Sequence, residues 1–145
     1  MKAPFLFALA LAACTTAKDG LNAGDAGAPD LSSVGKVACG AVSCDVASGS
    51  LCCNDYVSTP SCAAACTASA GDTRHCDGPE DCANQKCCLV IGNAHSNSTC
   101  QTSCGTSAEV MCHGDVDCPI GERCCPSDPK SYPGSGVCLP TTQSC

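Results

Sequence analysis

Two stretches, CDGPEDCANQKCC at residues 76–88 and CHGDVDCPIGERCC at residues 112–125, decide the fold of this chain. In both, five residues separate the first two cysteines, and a pair of neighbouring cysteines closes the stretch. A third copy of this order lies upstream, and all three copies obey C-x(4–5)-C-x(4–7)-C-C-x(8–12)-C-x(3–6)-C. A recurring spacing of this kind indicates a repeated structural unit. We therefore predict three cysteine-rich units, which we call unit 1 (39–66), unit 2 (76–104) and unit 3 (112–145).

The composition explains why cysteine must hold the fold together. The chain has 19 cysteines in 145 residues, whereas Leu, Ile, Val and Phe supply only 16 of the 131 residues after Cys14. So little apolar surface does not offset chain entropy, and small domains of this type depend on disulfides, which persist in oxidising compartments. We expect a small, disulfide-rich and loop-dominated fold with short β-hairpins, located outside the cytoplasm.

Each unit holds six cysteines, and we expect all of them to form disulfides. Six cysteines allow 15 pairings, and the spacing does not choose among them. The stretches between units, 67–75 and 105–111, lack cysteine. Because short loops close at a lower entropic cost than long ones, we expect each unit to be stapled separately, with these stretches as cleavable linkers. The disulfide cysteines are Cys39, Cys44, Cys52, Cys53, Cys62, Cys66, Cys76, Cys82, Cys87, Cys88, Cys100, Cys104, Cys112, Cys118, Cys124, Cys125, Cys138 and Cys145.

The first 13 residues, MKAPFLFALALAA, carry one positive charge at Lys2 and then an apolar run that is too short to span a bilayer. This pattern is typical of an export signal. The run ends in Leu11-Ala12-Ala13-Cys14, which resembles the bacterial lipobox. The resemblance implies cleavage before Cys14 and acylation, for example with palmitate, of this cysteine. An ordinary secretory signal is the alternative. Lipidation of Cys14 also leaves an even number of cysteines for disulfides.

A Gly/Ala/Asp-rich stretch follows, and it has no aromatic residue or apolar periodicity. We assign residues 14–38 to the lipidated N-terminus and a flexible linker. Thr15 and Thr16 stand where an Asp would resemble an inner-membrane retention signal. By this resemblance the protein is expected in the cell envelope, anchored at the outer membrane, with secretion as the alternative.

The two quoted stretches resemble the WAP four-disulfide-core family through Asp115, Asp117, Pro119 and the basic Arg123, with Lys86 as the matching base in unit 2. This resemblance implies protease inhibition as an alternative function. The spacing after the neighbouring cysteines departs from that family. Arg74 and Lys130 are the basic residues with which an inhibitor would contact a protease.

Other functional classes find less support. The histidines His75, His95 and His113 are isolated in the sequence, so we expect no metal or other cofactor. The acidic groups are expected to be solvated or to accept turn N–H groups, with calcium as the alternative; they are Asp77, Glu80, Asp81, Asp115, Asp117 and Glu122.

No serine or cysteine lies in a nucleophile motif, so we expect no catalytic residue and no enzyme activity. A net charge of −7 disfavours nucleic acid as a partner. We therefore expect a membrane-anchored interaction or structural module with a protein or glycan partner.

Overall fold

A computed structural model of the protein describes residues 33–67, 71–128, 132 and 134–145. The signal segment, Cys14 and most of the linker therefore lie outside the described residues. Three short 3₁₀ helices, Val46–Ser48, Pro79–Asp81 and Asp115–Asp117, accompany the strands. In the described part of the chain, no helix is long and apolar enough to span a bilayer. The strands are β1 (Lys36–Cys39), β2 (Val42–Asp45), β3 (Leu51–Asn54), β4 (Ser61–Ala63), β5 (Gly71–Arg74), β6 (Lys86–Ile91), β7 (His95–Gln101), β8 (Ala108–Cys112), β9 (Glu122–Pro126) and β10 (Gly136–Pro140).

Eight of these strands form one mixed sheet in the order β4-β3-β5-β7-β6-β8-β10-β9, and β1 and β2 form a separate hairpin. The β5–β7 pair is parallel, and the other neighbours are antiparallel. A small disulfide-rich β domain with short hairpins is confirmed, and these hairpins join into one eight-stranded sheet that the sequence did not predict. The physical reason is that backbone N–H and C=O groups near a crowded interior need partners, and the hairpins supply these partners by pairing through β5 and β8 as sheet ladders.

One hairpin recurs in every unit: β3–β4, β6–β7 and β9–β10. In each hairpin the third cysteine of the unit lies opposite the fifth, as Cys52 opposite Cys62, Cys87 opposite Cys100 and Cys124 opposite Cys138. Because successive side chains of a strand point to opposite faces, the fourth cysteine points away from the third. The pair of neighbouring cysteines therefore sends one disulfide to each face of its hairpin.

The disulfides follow one pattern in all three units: first to third, second to fifth and fourth to sixth. Every bond lies within its unit and joins residues 11 to 20 positions apart. Loops of this length contribute about 3 kcal/mol each to stability by restricting the unfolded chain. The bonds are Cys39–Cys52, Cys44–Cys62, Cys53–Cys66, Cys76–Cys87, Cys82–Cys100, Cys88–Cys104, Cys112–Cys124, Cys118–Cys138 and Cys125–Cys145.

The two stretches between units are not simple linkers. Residues 71–74 form β5, which pairs with β3 of unit 1 and with β7 of unit 2. Residues 108–112 form β8, which pairs with β6 of unit 2 and with β10 of unit 3. Each unit is stapled by its own disulfides, as expected, and main-chain hydrogen bonds also join neighbouring units into one sheet. We therefore expect units that are cleaved at these stretches to stay associated through the sheet.

The end of the expected flexible linker also belongs to the fold. Val37 and Ala38 are fully buried in β1, and the backbone N–H of Gly35 donates to Oδ1 of Asp81 at 2.8 Å. The core itself consists mainly of disulfides. One cluster surrounds Cys39, Cys44 and Cys52, and the other combines the unit 2 disulfides with Leu89, Met111 and Tyr132.

Candidate functional site

The buried centre of the molecule contains a charged residue, Arg74, whose side chain is only 2% exposed. Its guanidinium carbon lies 4.3 Å from the centre of the Tyr132 ring, and its Nη1 donates to the carbonyl oxygen of Ala38 at 3.2 Å. Nη2 lies 3.9 Å from Oδ2 of Asp72, which is also buried. Arg74 therefore links unit 1 to unit 3 from the strand between units 1 and 2.

This position excludes Arg74 as a residue that contacts a protease, because such a residue must project into solvent. The expectation for Arg74 is therefore wrong. Lys130, the other basic residue considered for inhibition, lies outside the described residues.

A polar cleft with a volume of about 510 Å³ lies beside β3, β5 and β7. Asp72 lies at its base and accepts hydrogen bonds from the hydroxyls of Tyr56 and Ser96. Polar side chains capable of hydrogen bonding line much of the cleft, beside alanine and cystine residues, and these polar residues include Asn54, Asp55, Ser58, Thr73, His95 and Asn97. A cleft with this lining fits a polar ligand, because such side chains fix a ligand through hydrogen bonds.

The loop at one side of the cleft is held by its own side chains. Oδ1 of Asp55 accepts hydrogen bonds from the backbone N–H groups of Val57 and Ser58, and Oδ1 of Asn54 accepts one from Tyr56. The hydroxyl of Ser58 also donates to Asp55, and these hydrogen bonds hold the pKa of the Asp55 carboxyl below its usual value. Short polar side chains commonly fix turns in this way. The loop is thus pre-organised and presents Tyr56 and Val57, 57% and 94% exposed.

A second group of functional side chains meets between units 2 and 3. Nε2 of His113 lies 2.8 Å from Oε1 of Glu80 and 3.4 Å from Oδ1 of Asp77. The other ring nitrogen, Nδ1, lies 3.1 Å from the carbonyl oxygen of Gly134. Hydrogen bonds to Asp77, which has the larger effect, and to Glu80 raise the pKa of His113 to about 10. His113, which is isolated in the sequence, is therefore not isolated in the fold, because the fold brings two carboxylates to its ring.

Asp77 is the most buried member of this group, with no exposed side-chain surface. Its Oδ2 accepts a hydrogen bond from the backbone N–H of Ala38 at 2.7 Å, so it also connects unit 2 to unit 1. Its Oδ1 points to His113 and meets no other donor in the part of the chain that the structure describes. The expectation that Asp77 is a solvated carboxylate is therefore wrong.

The remaining acidic residues mostly accept turn N–H groups, as expected. Asp81 accepts from the N–H of Asp77, and the equivalent Asp117 of unit 3 accepts from the N–H of His113. Asp115 accepts from the N–H of Cys124. Burial, opposed by hydrogen bonding and assisted by the charges of Asp77 and Glu80, raises the pKa of Asp81 to about 6. Glu122 lies in β9.

A signal for the second group was present in the repeat alignment. Asp77 and His113 both directly follow the first cysteine of their units, so the two units carry different chemistry at one structural position. The meeting of these two positions could not be read from the alignment, because it requires β6 and β8 to pair. Lipidation at Cys14 lies outside the described residues and stays a prediction.

Comparison of the chain with protein-family models, curated proteins and solved structures finds no match. The likeness to the WAP family therefore stays a likeness of two short segments. What the sequence and structure establish is a small cysteine-rich β domain with nine disulfides in three repeating groups. This disulfide content is typical of a protein located outside the cytoplasm or in the cell envelope.

Proposed function

We propose that the protein is a non-catalytic binding module of the bacterial cell envelope, tethered through a lipid on Cys14, and that its polar cleft binds a neutral glycan. The observation that carries this proposal is the cleft itself. It lies on a disulfide-stapled sheet and beside a loop fixed by side-chain hydrogen bonds. Rigid sites lose little conformational entropy when they bind, and this favours affinity.

The chemistry of the cleft favours a polar and uncharged ligand. Hydroxyl and amide groups of Ser58, Thr73 and Asn97 offer both donors and acceptors. Asp55 adds negative charge to the cleft, whereas Asp72 is paired with Arg74, and the whole chain carries −7. An anionic ligand would therefore be repelled, whereas the hydroxyl groups of a neutral sugar match this lining.

Binding of neutral oligosaccharides to the intact, oxidised protein tests the proposal. A glycan array identifies the ligand, and isothermal titration calorimetry measures its affinity. We expect Asn97→Ala to weaken binding about two- to tenfold, the effect of losing one hydrogen bond. Asn93→Ala is the matched control, because Asn93 is an exposed asparagine in the same hairpin that is not part of the cleft lining. Absence of glycan binding, or equal loss in both variants, would contradict the proposal.

The tether is tested separately through Cys14. We expect Cys14→Ser to abolish incorporation of labelled fatty acid and to leave the precursor uncut or the protein released from membranes. Detergent phase partitioning of the wild type and the variant checks this result. Partitioning of the variant into the detergent phase to the same extent as the wild type would contradict lipidation at this residue.

A further inference from the structure

We propose that Asp77, Glu80 and His113 bind one divalent transition-metal ion, with Zn²⁺ as the ion that this donor set fits best, at the boundary between units 2 and 3. The candidate ligand atoms all lie within 4.8 Å of one another. They are one imidazole nitrogen and two carboxylate oxygens, which are common ligands of Zn²⁺. The site is independent of the polar cleft and of the proposed glycan.

The distances between the ligand atoms suit a small ion. Two ligands about 2.0–2.1 Å from a tetrahedral zinc are about 3.3 Å apart. Nε2 of His113 and Oδ1 of Asp77 are 3.4 Å apart, close to this value. Nε2 and Oε1 of Glu80 are 2.8 Å apart, so the Glu80 side chain must withdraw by about half an ångström. The partial exposure of Glu80 and His113, 18% and 14%, leaves room for that movement and for a water ligand.

The surroundings of the ligands are those of a metal site. Nδ1 of His113 is held at the carbonyl oxygen of Gly134, and a zinc-binding histidine typically donates its second ring N–H to such a group. Oδ1 of Asp77 is fully buried and is aimed at the site with no hydrogen-bond donor in the described residues besides the His113 ring. A buried carboxylate oxygen needs a cation or a donor, and an ion at the site would replace the His113 ring, 3.4 Å away, as the partner of this oxygen.

Charge balance also favours a divalent cation. Two carboxylates together carry −2, and the imidazole binds a metal in its neutral form. When the ion binds, the proton on Nε2 of His113 leaves to solvent and the metal–nitrogen bond replaces the N–H bond. The resulting site is neutral overall, which suits its low exposure. The ion would join units 2 and 3 directly, and unit 1 through the hydrogen bond from Ala38 to Asp77.

Gly78 keeps space for this arrangement. A Cβ atom at this residue would lie 2.4 Å from Oε2 of Glu80 and 2.5 Å from Cδ2 of His113. The equivalent Gly114 of unit 3 has the same extended backbone, but a Cβ there would meet nothing within 4 Å. Gly78 has a negative φ of −161°, so the space, and not backbone conformation, requires glycine at this position. The two glycines form a matched pair for an experiment.

The test is titration of the intact, oxidised and chelator-treated protein with ZnCl₂ by isothermal titration calorimetry. We expect one Zn²⁺ per chain. We expect His113→Gln to weaken binding by at least about 100-fold, since loss of even an outer partner of a metal ligand costs about 10–100-fold. Gly78→Ala should weaken binding by about tenfold, because its Cβ would displace the Glu80 carboxylate and the His113 ring. Gly114→Ala and His95→Gln should bind like the wild type. With nine disulfides formed, the downstream cysteines offer no thiolates that could account for binding.

A second measurement separates loss of a ligand from loss of the fold. The ¹H–¹⁵N correlation spectrum of the imidazole rings should show that Zn²⁺ shifts Nε2 of one histidine, and this signal should be missing in His113→Gln. Glu80→Gln keeps the size of the side chain and removes its charge, and it should weaken Zn²⁺ binding. The number of disulfides found by intact mass spectrometry and the circular dichroism spectrum should stay unchanged in this variant. Absence of stoichiometric binding, equal affinity in all variants, or a shift confined to His75 or His95 would overturn the proposal.

Discussion

Replacement of Arg74 by alanine should be among the most damaging single changes to this fold. The guanidinium is nearly inaccessible, stacks on Tyr132 and donates to the carbonyl oxygen of Ala38. A desolvated cation–π contact is worth about 2 kcal/mol, and a hydrogen bond to a charged group about 1.5–3 kcal/mol. The change also leaves the buried carboxylate of Asp72 without its cation, and breaking such a pair costs about 3–5 kcal/mol. These contributions overlap, and we expect a total of about 4 kcal/mol.

Differential scanning calorimetry of the oxidised protein checks this value. For a domain of this size, about 4 kcal/mol corresponds to a decrease in Tm of roughly 15 °C. Arg123→Ala is the matched control, because Arg123 is only half-buried and its hydrogen bond to the carbonyl oxygen of Gln143 lies in an exposed position; we expect it to cost about 1 kcal/mol or less. Equal losses in the two variants, or a loss below about 1 kcal/mol for Arg74→Ala, would refute the central role of Arg74.

Three further predictions concern the backbone, the tyrosines and the links between units. Gly71 has a φ of +124°, and a Cβ there would lie 2.2 Å from the carbonyl oxygen of Asn54. Gly71→Ala should therefore lower the free energy of unfolding by at least about 2 kcal/mol in denaturant titrations. Gly105→Ala is the control, because a Cβ there meets nothing within 4 Å, and it should change the free energy of unfolding by less than about 0.5 kcal/mol. Burial raises the pKa of Tyr132 to about 12 and also raises that of Tyr56, so tyrosinate absorbance at pH 10 should be clearly lower in the folded than in the unfolded protein. The stability due to these shifts should be present below pH 10 and should decline as the pH rises toward 12. Equal absorbance in both states would contradict this. Cleavage at sites engineered between the units should give three masses in denaturing, non-reducing mass spectrometry but one particle in size-exclusion chromatography. The reason is that each disulfide stays within a unit, whereas the sheet joins the units. Separate elution of the fragments would contradict the continuous sheet.

Much of the local organisation was determined by the sequence alone. Cysteine spacing predicted three units with bonds confined to each unit, and the structure shows nine such bonds. The physical reason is that loops of 11 to 20 residues close at low entropic cost, so spacing along the chain carries information about local bonds. The shortage of large apolar residues likewise predicted a core made mainly of cystine.

The tertiary structure alone decided how the units meet. Which cysteines pair was decided by the fold: the third and fifth lie opposite each other in the hairpin, and each bonds to a cysteine upstream of the hairpin. Burial of Arg74 and the meeting of Asp77 with His113 depend on contacts between residues 36 positions or more apart. Such contacts form because β5 and β8 each pair with two units. Composition and spacing describe what each unit can do by itself, whereas the choice of neighbouring strand is set by the packing of the whole sheet.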